Sequence, residues 1–228
     1  MSSVDDLYRE ELLNILNENK VSIWVDAGGG NDPGIHRKDY DSIQNVQLVS
    51  LDEDSNSLSK NKIASILISC KLEKIPLKAQ FADVITMRWV AEHVEEPKKV
   101  LKELCRILQE NGRLLILTPN ANHFYPPIAK HFPKAYESYR TKVCGWKSSS
   151  IHNRFYRMNR RSTLKSLFKT LYVHEEKFHY VNSHFFYSKL SFLYFFESCL
   201  IRLLMIFRIH IFDYAILGVY KKLVPVKS

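Results

Sequence analysis

The sequence predicts an α/β protein, a mostly parallel sheet with helices on both faces. Three observations point there. Short β-branched or leucine-rich runs alternate with helix-compatible stretches over the first 120 residues. Two of those runs end in an aspartate, Asp26 and Asp52. The first is followed at once by Gly28-Gly29-Gly30, in a chain that holds only seven glycines. Near-continuous apolar strands are those buried on both sides, as in parallel sheets sandwiched by helices.

Composition sets the bounds. The chain has 228 residues, 46% of them hydrophobic and 25% charged, enough for one sizeable core and against wholesale disorder. Cys70, Cys105, Cys144 and Cys199 are scattered with no C-x-x-C pair, so neither a disulfide framework nor a metal site is expected. The acidic opening MSSVDDLYREELL lacks a basic-then-apolar leader, and the expected location is the cytoplasm. Charge is uneven: residues 1–122 carry a net of −4 and residues 123–228 a net of +13. The basic half suits an anionic ligand, nucleic acid or a membrane surface, and equally an ordinary solvated face.

The elements follow in order. Leu7, Leu12, Leu13 and Leu16 among charges predict an amphipathic helix over 4–17. Strands are predicted at 21–26, 46–52 and 83–87, whereas the apolar run 63–68 fits strand or helix. Pro97 opens the clearest helix, whose buried face is Val100, Leu101, Leu104, Cys105 and Leu108 and whose predicted stop is Asn111-Gly112. Residues 113–118 read as a buried strand. Residues 121–160 hold three prolines, many aromatics and no sustained periodicity, which predicts a long lid or binding loop. A helix from about 162, a strand over 171–180, an aromatic-rich helix over 187–209 and a final strand over 215–220 complete the reading. Glu197 and Arg202 inside 190–207 argue against a membrane span, leaving a packed tail helix or one lying on a membrane surface. The chain thus divides into an N-terminal helix (1–20), an α/β core (21–120), a lid or binding-loop region (121–160) and the remainder of the same domain (161–228).

The chemistry concentrates after the first two strands. Glycines there let the backbone approach a ligand, or simply make a tight turn. A dinucleotide fingerprint G-x-G-x-x-G needs glycine at 33, which is Pro33, and no G-K-[ST] follows for a phosphate loop. Asp52 can accept two hydroxyl hydrogen bonds from a ribose, or cap the next helix.

Val25-Asp26-Ala27-Gly28-Gly29-Gly30 and Leu51-Asp52 resemble the first two motifs of class I S-adenosylmethionine-dependent methyltransferases. Residues 82–97, with Glu92-His93-Val94 and Pro97, resemble that family's fourth strand and the entry to its next helix. LCRILQENGRLLILTPN, residues 104–120, resembles the fifth-strand region of its type-11, small-molecule branch. The resemblance runs from about 21 to 125 and implies a Rossmann-like seven-stranded fold with S-adenosyl-L-methionine as cofactor. It implies that Gly28 and Gly30 meet the methionine part, Asp52 the ribose and Asp26 the turn and the amino group. Two positions depart from the pattern: Asp32 stands at the third glycine and Lys71 where relatives carry an acid, so the Leu72 backbone is left for adenine. Arg88 lies where a cation could meet the methionine carboxylate or an anionic substrate, or form a surface ion pair. His123 is the candidate base, and Tyr156, Arg157 and Asn159 the candidate acceptor contacts. The expected reaction is methyl transfer to a small or lipid-like metabolite, with residues 187–209 as a peripheral membrane contact. An RNA methyltransferase and a non-catalytic binding protein are the alternatives.

Overall fold

Alternate side chains along each strand enter opposite faces of one sheet, and both faces are apolar. The computed structural model describes residues 4–18, 21–123, 125–142, 153–181, 195, 199, 210 and 213–224. Its strands are β1 (Ile23–Ala27), β2 (Gln47–Asp52), β3 (Ile66–Ser69), β4 (Ala82–Arg88), β5 (Leu108–Pro119), β6 (Val173–Val181) and β7 (Ala215–Lys222). They lie in the order β3-β2-β1-β4-β5-β7-β6. Only β7 runs antiparallel to its neighbours, β5 and β6. The chain steps outward from β1 through β2 to β3, then returns to place β4 on the other side of β1. That reversal opens a crevice at the carboxyl ends of β1 and β4, where open parallel sheets bind ligands.

The helices are α1 (Val4–Leu16), α2 (Arg37–Ser42), α3 (Ser55–Leu58), α4 (Pro97–Ile107), α5 (Tyr125–His131), α6 (Pro133–Lys142) and α7 (Arg161–Phe168). On one face Trp24, Leu48, Val84 and Leu115 pack with Tyr8 and Leu12 of α1. On the other, Val25, Val49, Ile85 and Leu114 pack with Leu104 of α4 and Phe168 of α7. Successive residues Trp24 and Val25 thus serve opposite cores, as strand alternation requires.

Two sequence expectations change. Helix α4 buries Val100, Leu101, Leu104 and Cys105 as predicted but ends at Ile107, and Leu108 already has extended dihedrals. Asn111 does take the left-handed conformation, at φ 64°, but inside β5. The β4–β5 register jumps from Ala82↔Leu108 to Val84↔Arg113, so Asn111-Gly112 belongs to a bulge in the strand. The predicted loop over 121–160 instead contains α5 and α6. Their prolines, Pro126 and Pro133, occupy first turns, where a missing N–H breaks no bond. The ambiguous run resolves as β3. The aromatic stretch 187–209 lies outside the described residues except for Phe195 and Cys199, both helical. Among the described residues no helix is long and apolar enough to cross a membrane.

Leu104 is fully buried between α4 and the sheet. Leu104→Ala is expected to lower unfolding free energy by about 2–5 kcal/mol, against under about 0.5 kcal/mol for exposed Lys102→Ala. Urea denaturation of the two variants checks this.

Candidate functional site at the carboxyl ends of the first and fourth strands

Asp26 is the penultimate residue of β1 and is 1% exposed. The Thr86 hydroxyl, from β4, donates to its Oδ1 at 2.6 Å, and Trp24 Nε1 donates to Thr86 Oγ1 at 2.8 Å. Asp26 Oδ2 is buried without a hydrogen-bond partner. Burial pushes this carboxyl up to about 7.

The turn beyond it is shaped by close approach. A Cβ on Gly29 would lie 2.3 Å from Asp26 Oδ2, and one on Gly28 would lie 2.4 Å from Val90 Cγ2, just past β4. Gly28 and Gly30 also have positive φ, 77° and 47°. The N–H groups of Gly28 and Gly29 donate to Leu51 O at 2.7 and 3.1 Å. Gly30 N–H donates to Asp52 Oδ2 at 2.9 Å, while Asp54 N–H donates to Asp52 Oδ1 at 2.9 Å. Asp52 therefore faces the glycine turn, its two oxygens oriented by backbone donors.

Asp32, at the third glycine position of the motif, is absent from the positive-φ residues. The left-handed turn has moved to Gly34, at φ 77°, whose N–H donates to Asp32 Oδ1 at 2.8 Å. An aspartate here strains nothing. Arg88 is held on this side of the sheet: Nη2 donates to Asp32 O at 2.9 Å, and the guanidinium pairs with Asp32 at 3.2 Å and Asp5 at 3.3 Å. It ties α1 to the glycine turn, the ion-pair alternative of the sequence reading with a structural purpose.

At the exit of β3, Cys70 N–H donates to Asp52 O at 3.0 Å. Burial first, and then the Asp52 charge, push the Cys70 thiol up. Lys71 is exposed and Leu72 half-buried against the main core.

The exit of β4 is a second centre. Glu92, in the 3-10 turn Ala91–His93, is buried. Thr118 Oγ1 donates to Glu92 Oε2 at 3.1 Å and accepts from Asn159 Nδ2 at 2.5 Å. Phe155 and Tyr156 N–H groups donate to Glu92 O at 2.7 and 3.2 Å. Arg157 Nη1 donates to Glu95 O at 2.6 Å, with its guanidinium over the Phe155 ring. The segment carrying Tyr156, Arg157 and Asn159 is thereby laced to the turn after β4. Tyr156 has φ 53°, and Asn159 is fully buried. Burial pushes the Glu92 carboxyl up to about 7.

His123 lies elsewhere in character. It is buried, its Nδ1 accepts from Tyr125 N–H at 3.2 Å, and its ring meets those of Tyr125 and Tyr214. Burial pushes it down to about 4, so it stays neutral and is a weak base at physiological pH. It packs in an aromatic cluster with Tyr125 and Tyr214. Sequence reasoning passed over Glu92, Thr118 and Cys70. The first two stand in the quoted Glu-His and Thr-Pro-Asn stretches, but no spacing rule marks a buried acid. Among the described residues no group of three or more His, Cys, Asp or Glu is placed to hold a metal ion.

The strand order with its reversed seventh strand, the glycine turn and the paired aspartates define the Rossmann-like fold of class I methyltransferases. Residues 25–116 match the family described as Methyltransferase domain. Similar curated proteins are ubiquinone/menaquinone biosynthesis C-methyltransferases UbiE. That of Citrobacter koseri is 28% identical over 42% of this chain and 39% of its own length. That of Yersinia pestis is 32% identical over 32% of this chain and 27% of its own. The chain thus spans about two fifths or less of these two relatives. Similar solved structures include YcgJ from Bacillus subtilis, with TM-score 0.62, 13% identity and coverage of 96% of this chain and 99% of that one. A SAM-dependent methyltransferase from Archaeoglobus fulgidus gives TM-score 0.61 at 12% identity, covering 97% of this chain and 95% of that one.

The family implies S-adenosylmethionine as cofactor, and the residues at the crevice fit it. The turn is one that a Cβ at position 28 or 29 would obstruct, Asp52 offers a carboxylate beside it, and Asp26 leaves one buried oxygen unpaired.

Asp26 and Glu92 both have native values above their ordinary ones, 3.8 and 4.5. The native state therefore binds more protons between about pH 4 and 7, and stability falls as pH rises through that window. The expected loss is at most on the order of 4 kcal/mol per group. Urea midpoints measured across the window should decline for the wild type, and decline less in Asp26→Asn and in Glu92→Gln.

Proposed function

We propose that this chain transfers the methyl group of S-adenosylmethionine to a small, lipid-like acceptor, with a hydroxylated quinol-type ring as the favoured class. The single observation that carries the cofactor part is the Gly30 N–H bond to Asp52, which joins the glycine turn to an oriented carboxylate. In this reading Gly28 and Gly30 admit the methionine part, Asp52 accepts from the ribose hydroxyls, and Leu72 borders the adenine. Asp26, with one unpaired oxygen, supports the turn and favours the cofactor's ammonium group. The acceptor class rests on the UbiE relatives, named as quinone C-methyltransferases.

The cofactor supplies an activated methyl carbon, so the protein's work is mostly alignment, worth up to roughly 7–11 kcal/mol when geometry is ideal. The acceptor side would be formed by the segment with Tyr156, Arg157 and Asn159, held on Glu92 and Thr118 at the ends of β4 and β5. His123 would support this wall by packing, and Arg88 would support the turn through Asp32.

Calorimetric titration of S-adenosylmethionine and S-adenosylhomocysteine tests the cofactor site. Binding to wild type is expected, with Asp52→Ala weakening it by about tenfold or more, since charge-assisted hydrogen bonds are lost. Labelled methyl transfer to a short-chain prenyl hydroquinone, a sugar and an RNA then tests the acceptor. Transfer to the hydroquinone is expected. Absence of cofactor binding in the wild type overturns the enzyme reading, and transfer to the RNA alone overturns the acceptor class.

A further inference from the structure

Helices α5 and α6 form a short hairpin. The Tyr125 and Tyr136 rings stack at 5.6 Å and 9°, with Ala129 buried beside them. Tyr136 N–H donates to Phe132 O at 3.0 Å, the bond that opens α6 just past the turn between the helices. Phe132 occupies that turn and is 65% exposed. Its neighbours Lys130, His131 and Lys134 are exposed as well. Residues 125–142 hold four Lys or Arg against one Glu.

The hairpin also stands at the edge of the sheet that matters. It follows the carboxyl end of β5, and Tyr125 stacks on Tyr214 at 5.2 Å. Tyr214 in turn meets Trp89, just past β4, at 5.9 Å. An exposed aromatic ring with an exposed lysine two residues to either side suits the boundary between headgroups and acyl chains of an anionic bilayer, where the ring is buried and the lysines meet phosphates.

We propose that the α5–α6 tip docks this chain on an anionic lipid membrane, through Phe132 inserted at the interface and Lys130 and Lys134 on the headgroups. Docked there, the carboxyl edge of the sheet lies beside the lipid, so an acceptor dissolved in the membrane reaches the site without crossing water. The inference rests on the lipid-like acceptor proposed above, but membrane binding is measured without cofactor or acceptor.

The test is co-sedimentation of the full chain with phosphatidylcholine vesicles, with and without phosphatidylglycerol, across a salt series. Binding is expected only with the anionic lipid and should weaken as salt rises. Each cation near such a surface contributes about fivefold to partitioning, so Lys130→Glu with Lys134→Glu should reduce it by more than about tenfold. Phe132→Ser should reduce it by about tenfold, with an unchanged thermal midpoint and unchanged S-adenosylmethionine titration. No vesicle binding by the wild type, equal binding to both vesicle types, or full binding by both variants overturns the proposal. Loss in Phe132→Ser without any salt dependence also overturns it, and assigns the tip to an apolar protein partner. Failed cofactor titration alongside normal vesicle binding would instead count against the enzyme reading alone.

Discussion

One buried carboxyl group, Asp26, governs the architecture of the crevice. It sits at the end of β1 where the strand order reverses, and it is held by the Thr86 hydroxyl of the adjacent strand. Because Oδ2 lies against the turn, no side chain fits at position 29. Because Val90 closes the other side, none fits at 28. The turn can then lie flat across the ends of β1 and β2, where Gly30 N–H reaches Asp52. A carboxyl kept in so dry a place is disfavoured as an ion. A bound cationic group nearby would favour the ionised form, so the site that costs stability when empty is the one a positively charged cofactor can stabilise.

The second half of the crevice is built on the same principle. Glu92, Thr118 and Asn159 connect the turn after β4, the end of β5 and the segment before α7 through two side-chain hydrogen bonds. These three pieces are far apart in sequence, and the segment before α7 has no helix or strand of its own to fix it to the other two. A shared buried polar network supplies that register, because each member left unpaired would be costly. The arrangement explains why the segment holding Tyr156 and Arg157 lies against the sheet despite having no regular structure.

The fold was legible where one physical signal dominated. Apolar runs ending in Asp26 and Asp52 gave the parallel strands, and the 3.6-residue stripe after Pro97 gave α4. Local chemistry misled where tertiary pairing overrode it: Asn111-Gly112 looked like a helix stop but is a strand bulge, because β4 draws the chain into the sheet from Leu108. The prolines of 121–160 looked like loop markers, yet Pro126 and Pro133 sit in helix first turns, a position the sequence alone does not distinguish from a turn. In the site, the glycines and aspartates stood out because each needs its residue type for space or charge. His123 was a candidate base from its place near a strand end, and its burial against Tyr125 and Tyr214 follows from the fold, not from the local sequence. Arg88 and Glu92 could not be sorted in advance, since their partners Asp5, Asp32, Thr118 and Asn159 are brought together by the fold.

The central claim is that Asp52 and the glycine turn form one prepared site for the cofactor. A crystal structure of the complex with S-adenosylhomocysteine tests it most directly. The account predicts both ribose hydroxyls within hydrogen-bond distance of the Asp52 carboxylate, with the turn at Gly28–Gly30 in its present conformation. A ligand bound away from the ends of β1 and β2, or a turn that must rebuild to admit it, would contradict the account.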